Sequence, residues 1–221
     1  MNIPTPANPK VFLLSNVTNH RETVLESIAD VHASCILRDH TLATFLPPLS
    51  RPKMIHHWQT LADEPNDNRF ILIYISRVSD RSTTETIEAP FEGHDWLQLT
   101  PDFIKDNNTE AELEVAGVVS LSMPSSETGP FRALVQKLFV SPFHRRRGIA
   151  TQLLTELERQ ALERGRWSLM LDTTVGTPAE HLYPKVGYNV LGTVKDYGYE
   201  PKDRALVDEI FYWKDIRPTS S

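Results

Sequence analysis

A basic loop joins an apolar strand to an amphipathic helix in the second half of the chain. It reads Arg145-Arg146-Arg147-Gly148, and Ala150 follows in the first helical turn. The N–H groups at a helix N-terminus lack intrahelical partners, and the helix dipole strengthens their attraction for an anion. Gly148 lets the backbone approach that anion closely, and arginines can hold phosphate oxygens from the sides. These residues therefore predict a phosphate-binding loop.

Other interpretations of the three arginines are weaker. Arginine runs are often a solvated surface or a localisation signal, but here a strand precedes and a helix follows. The spacing fits neither G-x-x-x-x-G-K-[ST] nor G-x-G-x-x-G. The following helix carries Glu156, Glu158 and Glu163, which would repel the phosphates of a nucleic acid. We therefore expect a small phosphate-bearing ligand and no nucleic acid.

Two motifs resemble those of a known family. The segment RRRGIA at residues 145–150 resembles the [Q/R]-x-x-G-x-[G/A] loop of the GNAT superfamily of N-acetyltransferases. The segment YPKVGY at residues 183–188 is similar to the Tyr-x-x-x-Gly-Tyr ending of a short helix in that family. The resemblance covers most of residues 69–214, and the chain end is most similar to the small-molecule branch that includes tabtoxin-resistance-type enzymes.

This resemblance implies that acetyl-CoA is the co-substrate. Its pyrophosphate is expected on the basic loop, with the arginines also near the ribose 3′-phosphate. The main chain of residues 138–140 is expected to pair with the pantetheine arm and to polarise the thioester carbonyl. Thr173, Thr174 and Thr177 are candidates to replace an asparagine that many relatives carry. The implied coenzyme-binding residues are Leu138, Phe139, Val140, Arg145, Arg146, Arg147, Gly148, Ile149, Ala150, Thr151, Thr174 and Thr177.

The same resemblance suggests the residues that move protons. An amine must be neutral to attack a thioester, and the departing thiolate must be protonated. Tyr183 is the expected general acid. Many relatives carry a carboxylate on the central strand, but residues 134–140 here contain none. Asp172, at the end of the next strand, is the expected base and could instead order that strand end. Glu209 is a weaker candidate, as are three side chains of a long polar segment: Glu92, His94 and Asp95.

These motifs predict an N-acetyltransferase that moves an acetyl group from acetyl-CoA to a primary amine of a small molecule, by direct attack in a ternary complex. Two alternatives stay open. The acceptor could be a protein or peptide, depending on whether residues 91–103 close the groove. The chain could also be a non-catalytic acyl-CoA-binding module, because Gln136 stands where an acid is common. Cys35 lies far in sequence from an activating histidine and is a poor candidate for a nucleophile.

The elements that must position these residues follow from periodicity and turn signals. We predict helices at 23–36, 52–62 and 148–165, with Gly165 as the C-terminal cap. A short helix is expected at 177–187, with Thr177 as its N-cap. Predicted strands cover residues 69–78, 113–123, 132–140, 167–175, 188–194 and 207–216. Together with the resemblance, they indicate an α/β (α+β) GNAT fold. Its mixed, mostly antiparallel, twisted sheet has six to seven strands, flanking helices and splayed central parallel strands.

The chain is expected to form one domain at residues 11–217, with a flexible arm at 1–10 and an insertion at about 79–111. It has 221 residues, a net charge of -6 and one cysteine, which fit a soluble cytoplasmic protein without a disulfide framework. No apolar run is long enough to span a membrane, and the N-terminus lacks a signal peptide pattern. We expect no metal ion; strands at the chain end make a homodimer plausible.

Overall fold

The computed structural model describes residues 10–39, 41–82 and 112–218, and the backbone of 104–105. Within these residues it contains three α-helices and eight β-strands. In chain order they are β1 (Val11–Leu13), α1 (Arg21–Asp39), α2 (Arg51–Ala62), β2 (Arg69–Arg77), β3 (Ile104–Lys105), β4 (Glu112–Ser122), β5 (Arg132–Val140), α3 (Ile149–Glu163), β6 (Ser168–Thr174), β7 (Asn189–Tyr199) and β8 (Leu206–Asp215).

The strands form one mixed sheet in the order β1-β2-β4-β5-β6-β8-β7, with β3 paired to β4. In the described chain the only parallel neighbours are β5 and β6, and every other pair is antiparallel. Registered pairing between β5 and β6 ends at Leu134 and Met170, although both strands continue. The predicted fold class, including the splayed parallel pair, is confirmed.

Helices cover both faces of this sheet. On one face, α3 presents the apolar stripe predicted from its periodicity, and Leu153 and Leu157 are fully buried against the sheet. On the other face, α1 and α2 pack over β2 and β4, where Trp58 is fully buried. More than half of α1 is buried, including the polar residues Ser27 and His32, which explains why its apolar period looked imperfect in the sequence.

The helix predicted at 177–187 is wrong. This segment consists of turns followed by a short 3-10 helix at Pro184–Val186. Thr177 does not cap a helix, since its hydroxyl donates to the carbonyl oxygen of Thr174 at 2.8 Å. Pro184 has no N–H group to donate to the carbonyl of Glu180, which instead accepts from the hydroxyl of Tyr212 at 3.2 Å. The missing backbone donor prevents a regular α-helix here.

Two further differences concern short elements. Strand β1 was not predicted because three residues give too little periodicity, yet Val11 pairs with Tyr74 of β2. The predicted arm at 1–10 and the insertion at about 79–111 lie largely outside the described residues. The division of the chain into one domain with an arm and an insertion stays a prediction.

Candidate active site

The divergence of β5 from β6 opens a cavity of about 650 Å³. Beyond Leu134, the edge of β5 that faced β6 borders this cavity. A bulge deforms β5 in the same region, since Val118 and Ser120 of β4 oppose Phe139 and Gln136 and leave one extra residue in β5. Lys137, inside the bulge, has a φ of 57°. The bulge therefore includes Leu138 and lies at the start of residues 138–140, whose main chain is expected to polarise the thioester carbonyl.

The N-terminus of α3 forms a second border of the cavity. Gly148 is its N-cap with a φ of 73°, a left-handed conformation that glycine adopts readily. Its carbonyl accepts from the N–H of Gln152 at 3.0 Å, so the N–H groups of the first turn have no intrahelical partner. Gly117 lets the helix approach β4 closely, because a Cβ there would lie 2.9 Å from Cγ2 of Ile149. The helix end is thus held directly beside the strand edge.

The structure brings nearly all predicted site residues to this one cavity. The lining includes Leu138, Phe139, Val140, Arg145, Arg146, Gly148, Ile149, Ala150, Thr151, Asp172, Thr174, Thr177 and Tyr183. Arg147 does not line the cavity and is exposed on the surface. Cys35 lines it as well, but burial raises the pKa of its thiol to about 12. The thiol donates to the carbonyl of Val140 at 3.5 Å, so it is a poor nucleophile.

The three arginines of the loop have different environments. Arg145 forms a two-bond ion pair with Asp39, the last residue of α1, and its Nη1 donates to Oδ1 at 2.7 Å. Arg146 is exposed and borders the cavity. The ion pair fastens the loop to α1 across the sheet edge. The local positive charge open to a ligand therefore comes from Arg146 and the helix end more than from Arg145.

Two carboxylates stand on the far wall of the cavity. Thr174 of β6 pairs in register with Glu209 of β8, and its hydroxyl donates to Oε1 of Glu209 at 2.9 Å. The side chain of Glu209 is buried, and its Oε2 has no hydrogen-bond partner among the described residues. Burial, together with the nearby charge of Asp172, raises the pKa of Glu209 to about 7. Such a group is partly ionised at neutral pH and suited to accept a proton.

Asp172 and Glu209 have distinct settings. Asp172 keeps a solvent-accessible carboxylate at the cavity wall, although burial against the surrounding protein raises its pKa. Its charge is one of the causes that raise the pKa of Glu209. A carboxylate that is already partly neutral and buried is the better proton acceptor in this pair. Sequence reasoning ranked these two residues in the opposite order.

Tyr183 lines the cavity. It is buried and packs against the rings of Tyr188 and Tyr212, with centroids 5.9 and 5.4 Å away. Burial and the charge of Asp172 raise the pKa of Tyr183, so its phenol keeps its proton at neutral pH. A neutral phenol on the cavity wall can donate a hydrogen bond to charge that develops there.

A buried histidine that sequence analysis did not single out supports the cavity wall. Nε2 of His32 donates to the carbonyl of Ala43 at 2.8 Å, and its Nδ1 accepts from Nε1 of Trp58 at 3.2 Å. The ring stacks on Phe139 with centroids 4.5 Å apart. Burial lowers its pKa to about 3, so the ring is neutral. His32 thereby connects the cavity-lining loop at Ala43 to the bulged strand.

A second unpredicted cluster lies beneath the basic loop. Oε1 of Glu114 accepts from Nε2 of His144 and from Nε of Arg81, each at 2.8 Å. Burial by itself raises the pKa of Glu114, but the two donors outweigh it and hold the pKa below its ordinary value. The sequence contains one signal for this cluster, a glutamate inside the otherwise apolar strand LEVAGVVSL, because a buried carboxylate requires partners.

Comparisons with known proteins agree with this architecture. The family model for the acetyltransferase (GNAT) family matches residues 56–188. The match spans more than half of the chain, which therefore belongs to the GNAT acetyltransferase family, a family of acyltransferases.

Solved structures share the fold at low sequence identity. A protein assigned as a phosphinothricin N-acetyltransferase is 16% identical, with a TM-score of 0.62 over 94% of this chain and 99% of the other. A ribosomal-protein-alanine N-acetyltransferase from Brucella melitensis is 19% identical, with a TM-score of 0.59 over 88% and 95%. A protein from Salmonella typhimurium, assigned as an acetyltransferase and solved with its cofactor acetyl-CoA, is 12% identical, with a TM-score of 0.57 over 90% and 92%.

The described residues contain no group of three or more His, Cys, Asp or Glu side chains arranged to hold a metal ion. Among the helices that the structure describes, none combines the length and apolar composition needed to cross a membrane.

Proposed function

We propose that this protein transfers an acetyl group from acetyl-CoA to a primary amine of a small molecule by direct attack in a ternary complex. The observation that carries the proposal is the continuity of one cavity. It joins the N-terminus of α3 to the open edge of β5 and then to the carboxylate wall at Glu209. N–H groups that can bind phosphate, an open strand edge and a proton acceptor thus follow one another along the cavity in the order that this reaction requires.

The coenzyme half rests on backbone groups. The N–H groups of residues 148–151 suit the pyrophosphate, because they lack helical partners and the atom nearest to a Cβ on Gly148 would be Nε2 of Gln152, 3.9 Å away. The open edge of β5 at residues 138–140 suits the pantetheine arm as an added strand. Arg146 borders the cavity, and Arg147 is free to meet a phosphate at the surface. Arg145 supports the loop through Asp39.

The acceptor half divides the proton transfers between two residues. Glu209 accepts a proton from the amine, which then forms the N–C bond while the C–S bond of the thioester breaks. Backbone N–H groups at the β5 bulge stabilise the negative charge on the carbonyl oxygen. Tyr183 donates a hydrogen bond to the departing sulfur, and the proton that the nitrogen loses on forming the amide passes through the phenol to that sulfur, so that the coenzyme leaves as a thiol. Asp172 supports Glu209 by raising its pKa.

The walls of the cavity favour a small acceptor over a peptide. Leu42 lines the cavity, and strand β7 packs directly on it at Gly198, where a Cβ would lie 2.8 Å from Cδ1 of Leu42. This contact places β7 against a residue of the cavity wall, which supports a small acceptor over an extended peptide. The criterion predicted from the sequence for a small or a peptide acceptor, closure of the groove by residues 91–103, concerns residues outside the described part of the chain.

A panel of amines tests the proposal. Thiol release from acetyl-CoA is measured with small primary amines and, separately, with peptides that have free N-termini or lysines. We expect turnover with at least one class of small amine and none with peptides. Turnover with peptides alone would support the peptide alternative. If none of the acceptors gives thiol release although acetyl-CoA binds measurably, the non-catalytic binding module is supported.

A further inference from the structure

Lys137 is a cation of the cavity that the reaction described above does not use. It stands in the bulge of β5, lines the cavity and is half-buried. Its Nζ donates to the neutral hydroxyl of Thr44 at 2.9 Å, and no carboxylate among the described residues forms an ion pair with it. The neighbouring Arg69, in contrast, pairs with Glu64 at 2.9 Å. Within the part of the chain that the structure describes, the ammonium group of Lys137 therefore has no anionic partner.

This arrangement is costly for the protein alone. Burial, together with the positive charge of Arg69, lowers the pKa of Lys137 to about 8. A half-buried ammonium group is stabilised when an anion binds beside it. The residue also has a φ of 57° within the bulge, and this backbone conformation sets the position and direction of its Cα–Cβ bond. A lysine held in this way is suited to bind a carboxylate in the cavity.

The coenzyme does not supply that anion. Its phosphates belong at Gly148, beyond the C-terminal end of β5, whereas Lys137 lies before residues 138–140, where the thioester is expected. A thioester carries no charge. The anion must therefore belong to the acceptor.

The wall of the cavity formed by β6 and β8 carries the charge opposite to that of Lys137. Asp172 of β6 and Glu209 of β8 line the same cavity as Lys137 of β5. Pairing of β5 with β6 ends at Leu134, so the two sides are separated by the opening. One side suits an ammonium or amine group, and the other suits a carboxylate.

We propose that the acceptor is an amino acid, whose amine lies toward Glu209 and Asp172 and whose carboxylate binds Lys137. The assignment rests on the proposed function, since it concerns the same cavity. It narrows the substrate from a primary amine to an amine that also carries a carboxylate. Thr44 orients the ammonium group through its hydroxyl.

Matched pairs of acceptors test this assignment. Free amino acids are compared with their carboxamides in steady-state assays of thiol release, using the wild-type protein and the variants Lys137→Met and Lys53→Met. Methionine is unbranched like lysine, so the left-handed backbone conformation of residue 137 should cost the same in the variant as in the wild-type protein. Lys53 is an exposed lysine of α2 that does not line the cavity and serves as the control for general loss of charge.

We expect the wild-type protein to prefer at least one amino acid to its amide by tenfold or more in kcat/KM, about 1.4 kcal/mol. Lys137→Met should remove that preference by raising KM for the acid while turnover of the amide and affinity for acetyl-CoA stay unchanged. Lys53→Met should keep the preference. Unchanged acetyl-CoA affinity also shows that the variant is folded.

Three outcomes would overturn the assignment. Equal turnover of acids and amides by the wild-type protein would leave the proposed function intact and refute the carboxylate site. An equal fall in kcat for both acceptors in Lys137→Met would assign the lysine to the reaction itself. Absence of turnover with every amine, with acetyl-CoA still bound, would refute the proposed function and the acceptor class together.

Discussion

Replacing Glu209 by glutamine tests the identity of the base. Glutamine has nearly the same shape and can still accept from the hydroxyl of Thr174, but it cannot take a proton from an amine. General bases typically contribute a factor of about 10² to 10⁴ to the rate. We therefore expect Glu209→Gln to lower kcat at least about a hundredfold, with acetyl-CoA affinity unchanged. The acidic limb of the wild-type kcat profile near pH 7 should also disappear.

The same substitution has a consequence for stability. The pKa of Glu209 is about 7 in the folded protein, against an ordinary value of 4.5. The folded state therefore binds the proton more tightly than the unfolded state does. This contribution to the free energy of unfolding is fully present below pH 4.5 and is lost as the pH rises through about 7. At about 1.36 kcal/mol per pKa unit, the loss amounts to about 3 kcal/mol at most.

The stability difference between the variant and the wild-type protein should change with pH in a defined direction. The amide in Glu209→Gln places a new donor in a buried position, and that cost is the same at every pH. The carboxylate cost exists only in the wild-type protein, where it grows between about pH 4.5 and pH 7 and is complete above that range. Urea unfolding at pH 5 and pH 8 should therefore show the variant gaining stability relative to the wild-type protein at the higher pH.

Two results would refute this reasoning. If Glu209→Gln kept the wild-type kcat and its acidic limb, the residue would not be the base. If the stability difference were the same at pH 5 and pH 8, the carboxylate would not carry a raised pKa. The same acceptor is used for both proteins, so the titration of the amine itself is common to both profiles.

Three other substitutions examine the remaining parts of the site. Asp172→Asn removes a charge that raises the pKa of Glu209, so the acidic limb of the kcat profile should move to lower pH. If the limb did not move, Asp172 would not influence the ionisation of Glu209. Tyr183→Phe should reduce kcat by about 10² or more without changing acetyl-CoA affinity, and unchanged turnover of every amine would exclude it as the acid. Gly148→Asp should weaken acetyl-CoA binding at least tenfold, about 1.4 kcal/mol in a calorimetric titration. Gly148→Asn has the same shape without the charge and should lose less affinity than Gly148→Asp, so the difference between the two variants measures the effect of the charge.

The anion-binding half of the site could be predicted because it is local in sequence. A strand, a loop with Gly148 and a helix follow one another within about twenty residues. Their geometry depends on neighbouring backbone groups, so the motif carries most of the information. The apolar stripe of α3 is equally local, and its end near Gly165 was predicted within two residues.

The acceptor half could not be predicted in the same way because it depends on strand pairing over long separations. The proposed role of Glu209 as a base depends on its position opposite Thr174, 35 residues away, and on burial that only the folded sheet provides. No periodicity in the sequence distinguishes it from the other carboxylates. Lys137 can likewise be identified as a cation from the sequence. That no carboxylate of the described residues pairs with it, however, is a property of the folded cavity.

Arg145 illustrates how a residue of a ligand-binding motif can have a structural role in place of binding the ligand. The motif suggests a phosphate clamp, yet the guanidinium group is engaged by Asp39, 106 residues away in the chain. In an acidic protein, a fully paired arginine adds little positive potential, so the anion site depends on what remains unpaired. Those groups are the N–H donors after Gly148, whose number and direction are set by the backbone. Because the backbone donors do not vary with side-chain identity, the loop can hold a phosphate even when its first arginine serves to fasten α1 to the cavity.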